Sequence, residues 1–331
     1  MRTRTAILIL FAVIECVAAR RKPTPATKPA APTITADDVQ NATQTDPLGP
    51  PGTGARVVRA QILLDRARFS AGEIDGHFGD NMRIAVRGYQ EAHQLEPTGT
   101  IDAAMWAQLN ANTGPLFVIY TITAADVKGP FAPVPTDIHE RARLSHLGYE
   151  SAAEELGERF HISPKLLAVL NPGKTLSTAG ELITVPDVNR PTAPAAARVV
   201  VSESNHTVRA CDANGGIIAQ YAATMGGPHD PLPVGNWTIA NIEHNPTFYW
   251  APGHYWNADP SESKEKVAPG PNNPVGVVWM GLSKRHFGIH GTPDPGRIGH
   301  TESFGCIRLT NWDAEDLSHM VRRGTPAILE R

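Results

Sequence analysis

Gly288-Ile289-His290-Gly291-Thr292 and, across a Pro/Gly-rich loop, Ser303-Phe304-Gly305-Cys306-Ile307-Arg308 place a histidine and a cysteine each beside a glycine. Each is reached after an apolar or strand-like run. A thiol needs a base before it becomes a nucleophile near neutral pH, and a neighbouring imidazole is the common supplier. Glycine beside the cysteine lets a carbonyl approach the backbone and leaves the following N–H free to hold an oxyanion. The residues alone also allow a buried cysteine and an unrelated surface histidine.

The surrounding sequence predicts β-structure. From Arg198 onward come Val199-Val200-Val201 and His206 to Cys211, a turn at Asn214-Gly215-Gly216, then Ile217 to Ala222. Asn-Gly between two strand-like runs is a strong hairpin signal. Further strands are expected at Pro233 to Ile239, Val277 to Leu282, His286 to His290 and Pro326 to Leu329. One late helix is expected, opened by Thr310-Asn311-Trp312-Asp313 and ended by Gly324. Many short strands with one late helix predict a mainly β domain, a sandwich or a closed, barrel-like sheet, over residues 198–331. Cys211 lies in an alternating segment and is expected to be a buried strand residue. A Cys211–Cys306 disulfide would silence the nucleophile, so two free thiols are expected.

The preceding chain divides by composition. The formal net charge of −3 over 331 residues gives no bulk pull toward nucleic acid. Residues 1–19 combine a cationic start, an apolar run and Val17-Ala18-Ala19, the pattern of a cleaved export signal. Export to the periplasm or cell envelope is therefore expected. Residues 20–54 are Pro, Ala and Thr rich and are expected to be a tether. Residues 55–112 carry three stretches of helical periodicity separated by Gly turns, a small helical domain. Residues 116–188 suggest strand, helix, helix, strand, with Ser163 capping and Pro164 in the first turn of the second helix. A long insertion, about residues 128 to 150, follows the first strand. Residues 189–197 are expected to be a second linker.

Three resemblances follow. Gln61-Ile62-Leu63, Ile74-Asp75-Gly76-His77-Phe78-Gly79, Tyr89-Gln90 and Thr98-Gly99-Thr100-Ile101-Asp102 with Trp106 and Leu109 resemble the peptidoglycan-binding module of wall hydrolases and transpeptidases. Tyr120-Thr121-Ile122, Leu166 to Asn171 and Leu182-Ile183-Thr184-Val185-Pro186 resemble a LysM module, whose family binds the wall glycan; the insertion departs from that pattern. Residues 198–331 resemble the catalytic domain of L,D-transpeptidases, the YkuD domain. Met225-Gly226-Gly227, Pro231 to Trp237, Pro269 to Gly276, His290-Gly291-Thr292 and Ser303 to Leu309 carry that likeness in order. Phe304 departs from it, since many members have His or Lys there.

The last resemblance implies that Cys306 is the nucleophile and His290 the general base. Backbone N–H groups at Gly305 and Cys306 would hold the oxyanion, and a carbonyl near residue 291 would orient the imidazole. Arg308, Ser303, Gly291 and Thr292 are candidate substrate-binding or positioning residues. Tyr249 and Trp250 are the candidate groove contacts within residues 243 to 262, an aromatic segment that also holds His244, Phe248, His254, Tyr255 and Trp256 and looks like a lid or groove wall. The implied partner is peptidoglycan, both stem peptide and glycan. The implied donor is a stem tetrapeptide that loses D-Ala. The acceptor is the amine of a second stem or of an outer-membrane lipoprotein. No cofactor or metal is expected; His77 has no second ligand at metal-binding spacing. Two alternatives stay open: a hydrolase using the same Cys/His pair, and a non-catalytic wall-binding protein.

Overall fold

The computed structural model describes residues 34–111 and 114–331. The expected export signal and the first part of the expected tether lie outside the described residues. From residue 34 the tether expectation fails. Thr35 caps a short helix, α1 (Ala36–Gln40), its side chain accepting from the Asp38 N–H. Val39 is buried, and Leu48 exchanges backbone hydrogen bonds with Ile101. Isolated apolar residues in Pro/Thr-rich sequence look like tether because their partners lie far along the chain.

The helical segment then follows the predicted periodicity: α2 (Ala55–Arg66), a two-residue strand β1 (Phe69–Ser70), α3 (Asp80–Ala92) and α4 (Ala103–Leu109). Asp102 caps α4 by accepting from the Met105 N–H. Ile62, Met82, Met105 and Trp106 are fully buried between these helices.

The next segment has the predicted strand–helix–helix–strand order. It comprises β2 (Phe117–Thr121), α5 (Ile138–Arg141) within the insertion, α6 (Ala152–Arg159), α7 (Pro164–Leu170) and β3 (Leu182–Pro186). β2 and β3 pair antiparallel from Phe117↔Pro186 to Thr121↔Leu182. Ser151 and Ser163 cap α6 and α7. This segment is not a separate bead: its Leu156, Ile162, Leu167 and Val185 belong to the same apolar core as Val39, Ile62 and Trp106.

The remaining residues build the mainly β part. Its elements are β4 (Arg198–Ser202), β5 (Thr207–Cys211), β6 (Ile217–Ala222), β7 (Gly235–His244), β8 (Phe248–Trp250), β9 (Glu265–Val267), β10 (Val278–Leu282), β11 (Gly288–His290), β12 (Ile307–Arg308), α8 (Asn311–Met320) and β13 (Pro326–Glu330). Among the described residues the main sheet has nine strands in the order β1-β6-β5-β4-β13-β7-β10-β11-β12. A second apolar core, with Val199, Tyr221, Met280, Ile289 and Leu317, lies against it. β11 and β12, which carry His290 and Arg308, end the sheet opposite β1. Cys211 is buried in β5, and Cys211 and Cys306 are both free thiols.

Two boundary expectations are corrected by packing. β1, from the helical segment, pairs parallel with β6, Phe69↔Gln220 and Ser70↔Tyr221, so the helical segment is joined to the main sheet. The expected linker 189–197 contains Arg190, whose buried guanidinium meets Asp65 of α2 at 2.6 Å and Asp316 of α8 at 2.8 Å. The Ala196 N–H donates to the Met320 carbonyl at 2.8 Å. An Ala/Pro-rich run looks like a linker by composition, but here its one arginine and its backbone are both held.

Candidate active site

β11 and β12 run parallel, with Ile289 beside Ile307 and His290 beside Arg308. Cys306 immediately precedes β12, so it sits at the start of the strand next to the one that ends in His290. The opposite side of the Cys306 loop is clamped by residues 224–226. Thr224 and Arg308 exchange backbone hydrogen bonds at 3.0 and 2.8 Å, and the Ser303 N–H donates to Met225 O at 2.8 Å. Gly305 has φ +89°. That is the left-handed region, which glycine enters without steric cost, and an added Cβ there would lie 2.6 Å from the Phe287 ring.

His290 Nδ1 lies 2.7 Å from the Gly291 carbonyl oxygen. A carbonyl only accepts, so Nδ1 carries the proton and Nε2 keeps a lone pair. The imidazole is buried and stacks on Trp279, ring centres 5.5 Å apart. Burial first, and the Arg308 guanidinium second, lower its pKa to about 3, against the Gly291 hydrogen bond. Burial also raises the Cys306 thiol, opposed by the Gly288 backbone and by Arg308. Arg308 therefore lies within electrostatic reach of both groups. Its own pKa is lowered by burial, with Cys306, Tyr255 and Asp294 working in the other direction. The resting pair is thus a neutral thiol and a neutral imidazole with a free Nε2. The thiol itself contacts the His286 carbonyl at 3.7 Å.

Arg308 also lines a cavity of about 150 Å³ with Thr224, Thr292, Asp294, Arg297 and Glu302. Two arginines and two carboxylates around a small space suit a zwitterionic or carboxylate-bearing ligand. Thr292 is buried there and its hydroxyl accepts from the Asp294 N–H at 3.3 Å. The Ser303 hydroxyl donates to the Cys306 carbonyl, so it braces the loop from within. Gly291 is taken up by its bond to His290.

β8 and β9 pair as a hairpin from Phe248↔Val267 to Trp250↔Glu265, and the segment between them comes within electrostatic reach of Cys306 through Tyr255. Tyr255 was not singled out from the sequence. Burial and then Cys306 push its phenol up to about 12, and its ring meets Phe304 edge-on at 4.8 Å. Trp250 is only 9% exposed and packs behind Tyr255, ring centres 6.1 Å apart. Tyr249 is 68% exposed and lies beneath the Lys266 ammonium at 5.9 Å. Trp250 therefore backs the Tyr255 ring rather than lining a groove, and Tyr249 faces outward from the hairpin. Trp279 was also missed. Its one sequence signal was a position in the apolar run that β10 pairs with β11, Trp279↔His290. Among the described residues no group of three or more His, Cys, Asp or Glu side chains is arranged to hold a metal ion.

Comparisons with known proteins find the following similarities. The model of the L,D-transpeptidase catalytic domain (YkuD) matches residues 196–329, and that of a putative peptidoglycan binding domain matches residues 53–109. The putative L,D-transpeptidase YkuD of Bacillus licheniformis is 30% identical over 175 residues, covering 52% of this chain and 89% of that protein. Its Bacillus subtilis counterpart is 30% identical over 174 residues, with the same two coverages. Among solved structures, L,D-transpeptidase 3 from Mycobacterium tuberculosis in complex with a faropenem-derived adduct is 22% identical, with a TM-score of 0.34 over 46% of this chain and 75% of that one. With that extent of identity across nearly the whole of a relative, and with the His290 and Cys306 strands side by side, the chain belongs to the L,D-transpeptidase family.

Proposed function

We propose that this L,D-transpeptidase acts on peptidoglycan by acyl transfer through Cys306. The observation that carries the reading is the tautomer of His290: Nδ1 is held by the Gly291 carbonyl, so Nε2 is the available base. The Cys306 Sγ–H gives its proton to Nε2 as sulfur attacks a stem-peptide carbonyl. The Gly305 and Cys306 N–H groups hold the oxyanion. The tetrahedral centre collapses, the amine of D-Ala leaves with the proton from His290, and a thioester on Cys306 remains. An acceptor amine then attacks the thioester and passes its proton to His290, which returns it to sulfur.

Arg308 and the cavity beside it fit the carboxylate of the departing D-Ala. The helical segment supplies attachment to the wall polymer, and the strand–helix–helix–strand segment adds a glycan contact. Such a substrate requires export, for which residues 1–19 are the candidate signal. The acceptor is the side-chain amine of a second stem.

The test is incubation of the purified protein with disaccharide-tetrapeptides, followed by mass spectrometry. Expected are a thioester adduct on Cys306 and cross-linked dimers, both lost in Cys306→Ala and in His290→Gln. Tripeptides without dimers would replace the transfer reading with hydrolysis. No adduct and no change in the muropeptides would leave a binding protein.

A further inference from the structure

Between the catalytic histidine and the middle segment of the chain lies a buried carboxyl that the reaction above does not use. Glu158 sits on α6, outside the catalytic domain, and is 8% exposed. It faces Asn311, the first residue of α8 and itself 3% exposed. Asn311 Nδ2 donates to Glu158 Oε1 and Oε2, both at 3.0 Å, and to the Pro271 carbonyl at 3.1 Å. Asn311 Oδ1 accepts from the Val277 N–H at 3.2 Å. All polar atoms of this amide are thus engaged, and its orientation is set by what it donates to.

The same Oδ1 is packed against Gly291. A Cβ on Gly291 would stand 2.2 Å from it, and a Cβ on Gly276 would stand 2.0 Å from it and 2.7 Å from the Gly291 carbonyl carbon. Gly291 is therefore wedged between strand β10, whose Val278 O accepts its N–H at 3.2 Å, and the Asn311 amide. The Gly291 carbonyl is the one that selects the His290 tautomer.

We propose that Glu158 is a positioning residue for His290, acting through Asn311 and the Gly291 carbonyl, so that the middle segment completes the catalytic site. The inference rests on His290 acting as base. Losing the carboxyl takes away Asn311's side-chain acceptor. The amide is then held only by the Pro271 carbonyl and the Val277 N–H, its oxygen shifts against Gly291, and the imidazole loses its fixed direction. Misplacement of a catalytic group by a fraction of an ångström costs rate without costing substrate binding. Burial raises the Glu158 pKa to about 8, so near neutral pH it is largely the neutral acid, which glutamine reproduces in shape and in accepting from Asn311.

The experiment compares Glu158→Met with Glu158→Gln in the full chain. Methionine fills the space and removes the acceptor. A residue that mattered for folding alone would lose stability and kcat together in Glu158→Met; a positioning residue loses kcat alone, because an apolar side chain replacing a buried ionisable one need not destabilise the fold. Expected is a Glu158→Met protein that melts no lower than wild type, with kcat for donor acylation reduced about 10- to 100-fold and KM unchanged. Glu158→Gln should restore kcat. A second readout needs no turnover: the Nδ1–H proton resonance of His290, assigned by its loss in His290→Gln, should shift or broaden in Glu158→Met and return in Glu158→Gln. Wild-type kcat and an unmoved resonance in Glu158→Met would overturn the proposal, as would a kcat loss matched by loss of folded protein. If wild type forms no adduct at Cys306, the acyl-transfer reading fails by itself, and the resonance still decides whether Glu158 orients His290.

Discussion

At the residue scale, the distinction that matters is between a preformed thiolate–imidazolium pair and a neutral pair that moves its proton during attack. Both ionisable partners point to the second. Burial and Arg308 hold His290 down near pH 3, and burial holds the Cys306 thiol up. Alkylation by iodoacetamide reads the thiolate directly and needs no general base. The prediction is a Cys306 alkylation midpoint above the ordinary thiol value of about 8.5. Acylation by the peptide donor should show no loss of rate across the usual histidine range, since His290 remains neutral and competent there. An alkylation midpoint well below 8.5 would establish the ion pair instead. Phe304 fits this picture: the residue two before Cys306 is an apolar ring that meets Tyr255.

At the element scale, the insertion in the middle segment packs as a strap on the β8–β9 hairpin. His139 of α5 places Nδ1 2.7 Å from Glu265 Oε1 and Nε2 3.6 Å from Glu262 Oε2. Its ring stands edge-on to Trp250 at 5.5 Å, and Trp250 backs Tyr255. Beyond the helix, the Leu147 N–H donates to Pro269 O at 2.9 Å and Leu147 O accepts from the Asn272 N–H at 3.0 Å. The Glu265 hydrogen bond raises the His139 pKa. A histidine whose folded pKa is raised contributes stability that is full below its unfolded value, about 6.5, and is lost as pH rises through the folded value. Hydrogen-exchange protection of β8 and β9 should therefore fall as pH rises through that range in wild type and be low at every pH in His139→Ala. The donor KM should rise in that variant. Equal protection at pH 5 and pH 8 in wild type would sink the strap. The sequence showed that the segment was aromatic and lid-like, but not which ring reaches the thiol. Tyr249, Trp250 and Tyr255 look alike in composition, and hairpin register together with the turn beyond it decides that one faces outward, one packs behind and one meets Phe304.

At the scale of the whole molecule, the strand before His290 and the helix after Cys306 were legible because they are written in local motifs; the order in which the strands pair was not. Nor was the unity of the chain, because it rests on pairs of residues far apart in sequence. Arg190 is the clearest case. Its guanidinium, 7% exposed, meets Asp65 of the helical segment and Asp313 and Asp316 of α8. Around it, Tyr221 donates to Asp316 at 2.7 Å, Ser70 to Asp313 at 2.6 Å, and His161 approaches Asp65 at 3.1 Å. Burial pushes the Asp65 carboxyl up, but Arg190 and His161 together bring it down to about 2; for Asp313 burial prevails and holds it near 6. Removing the arginine strands these carboxylates in a dry seam between two separate apolar cores. Arg190→Met should lower stability at pH 7 by about 3–5 kcal/mol. Calorimetry should show the single transition of wild type divided into two, one for each core. The sign of the pH effect follows from the same charges. Without Arg190, burial raises the folded pKa of Asp65 above its unfolded value of about 3.9, so the folded variant takes up protons that the unfolded chain does not. The deficit relative to wild type should therefore shrink as pH falls from 7 toward 4. A deficit that stays constant over that range, or one undivided transition at the wild-type temperature, would mean that the seam is held by apolar contact and by the β1–β6 pairing, with Arg190 as a passenger.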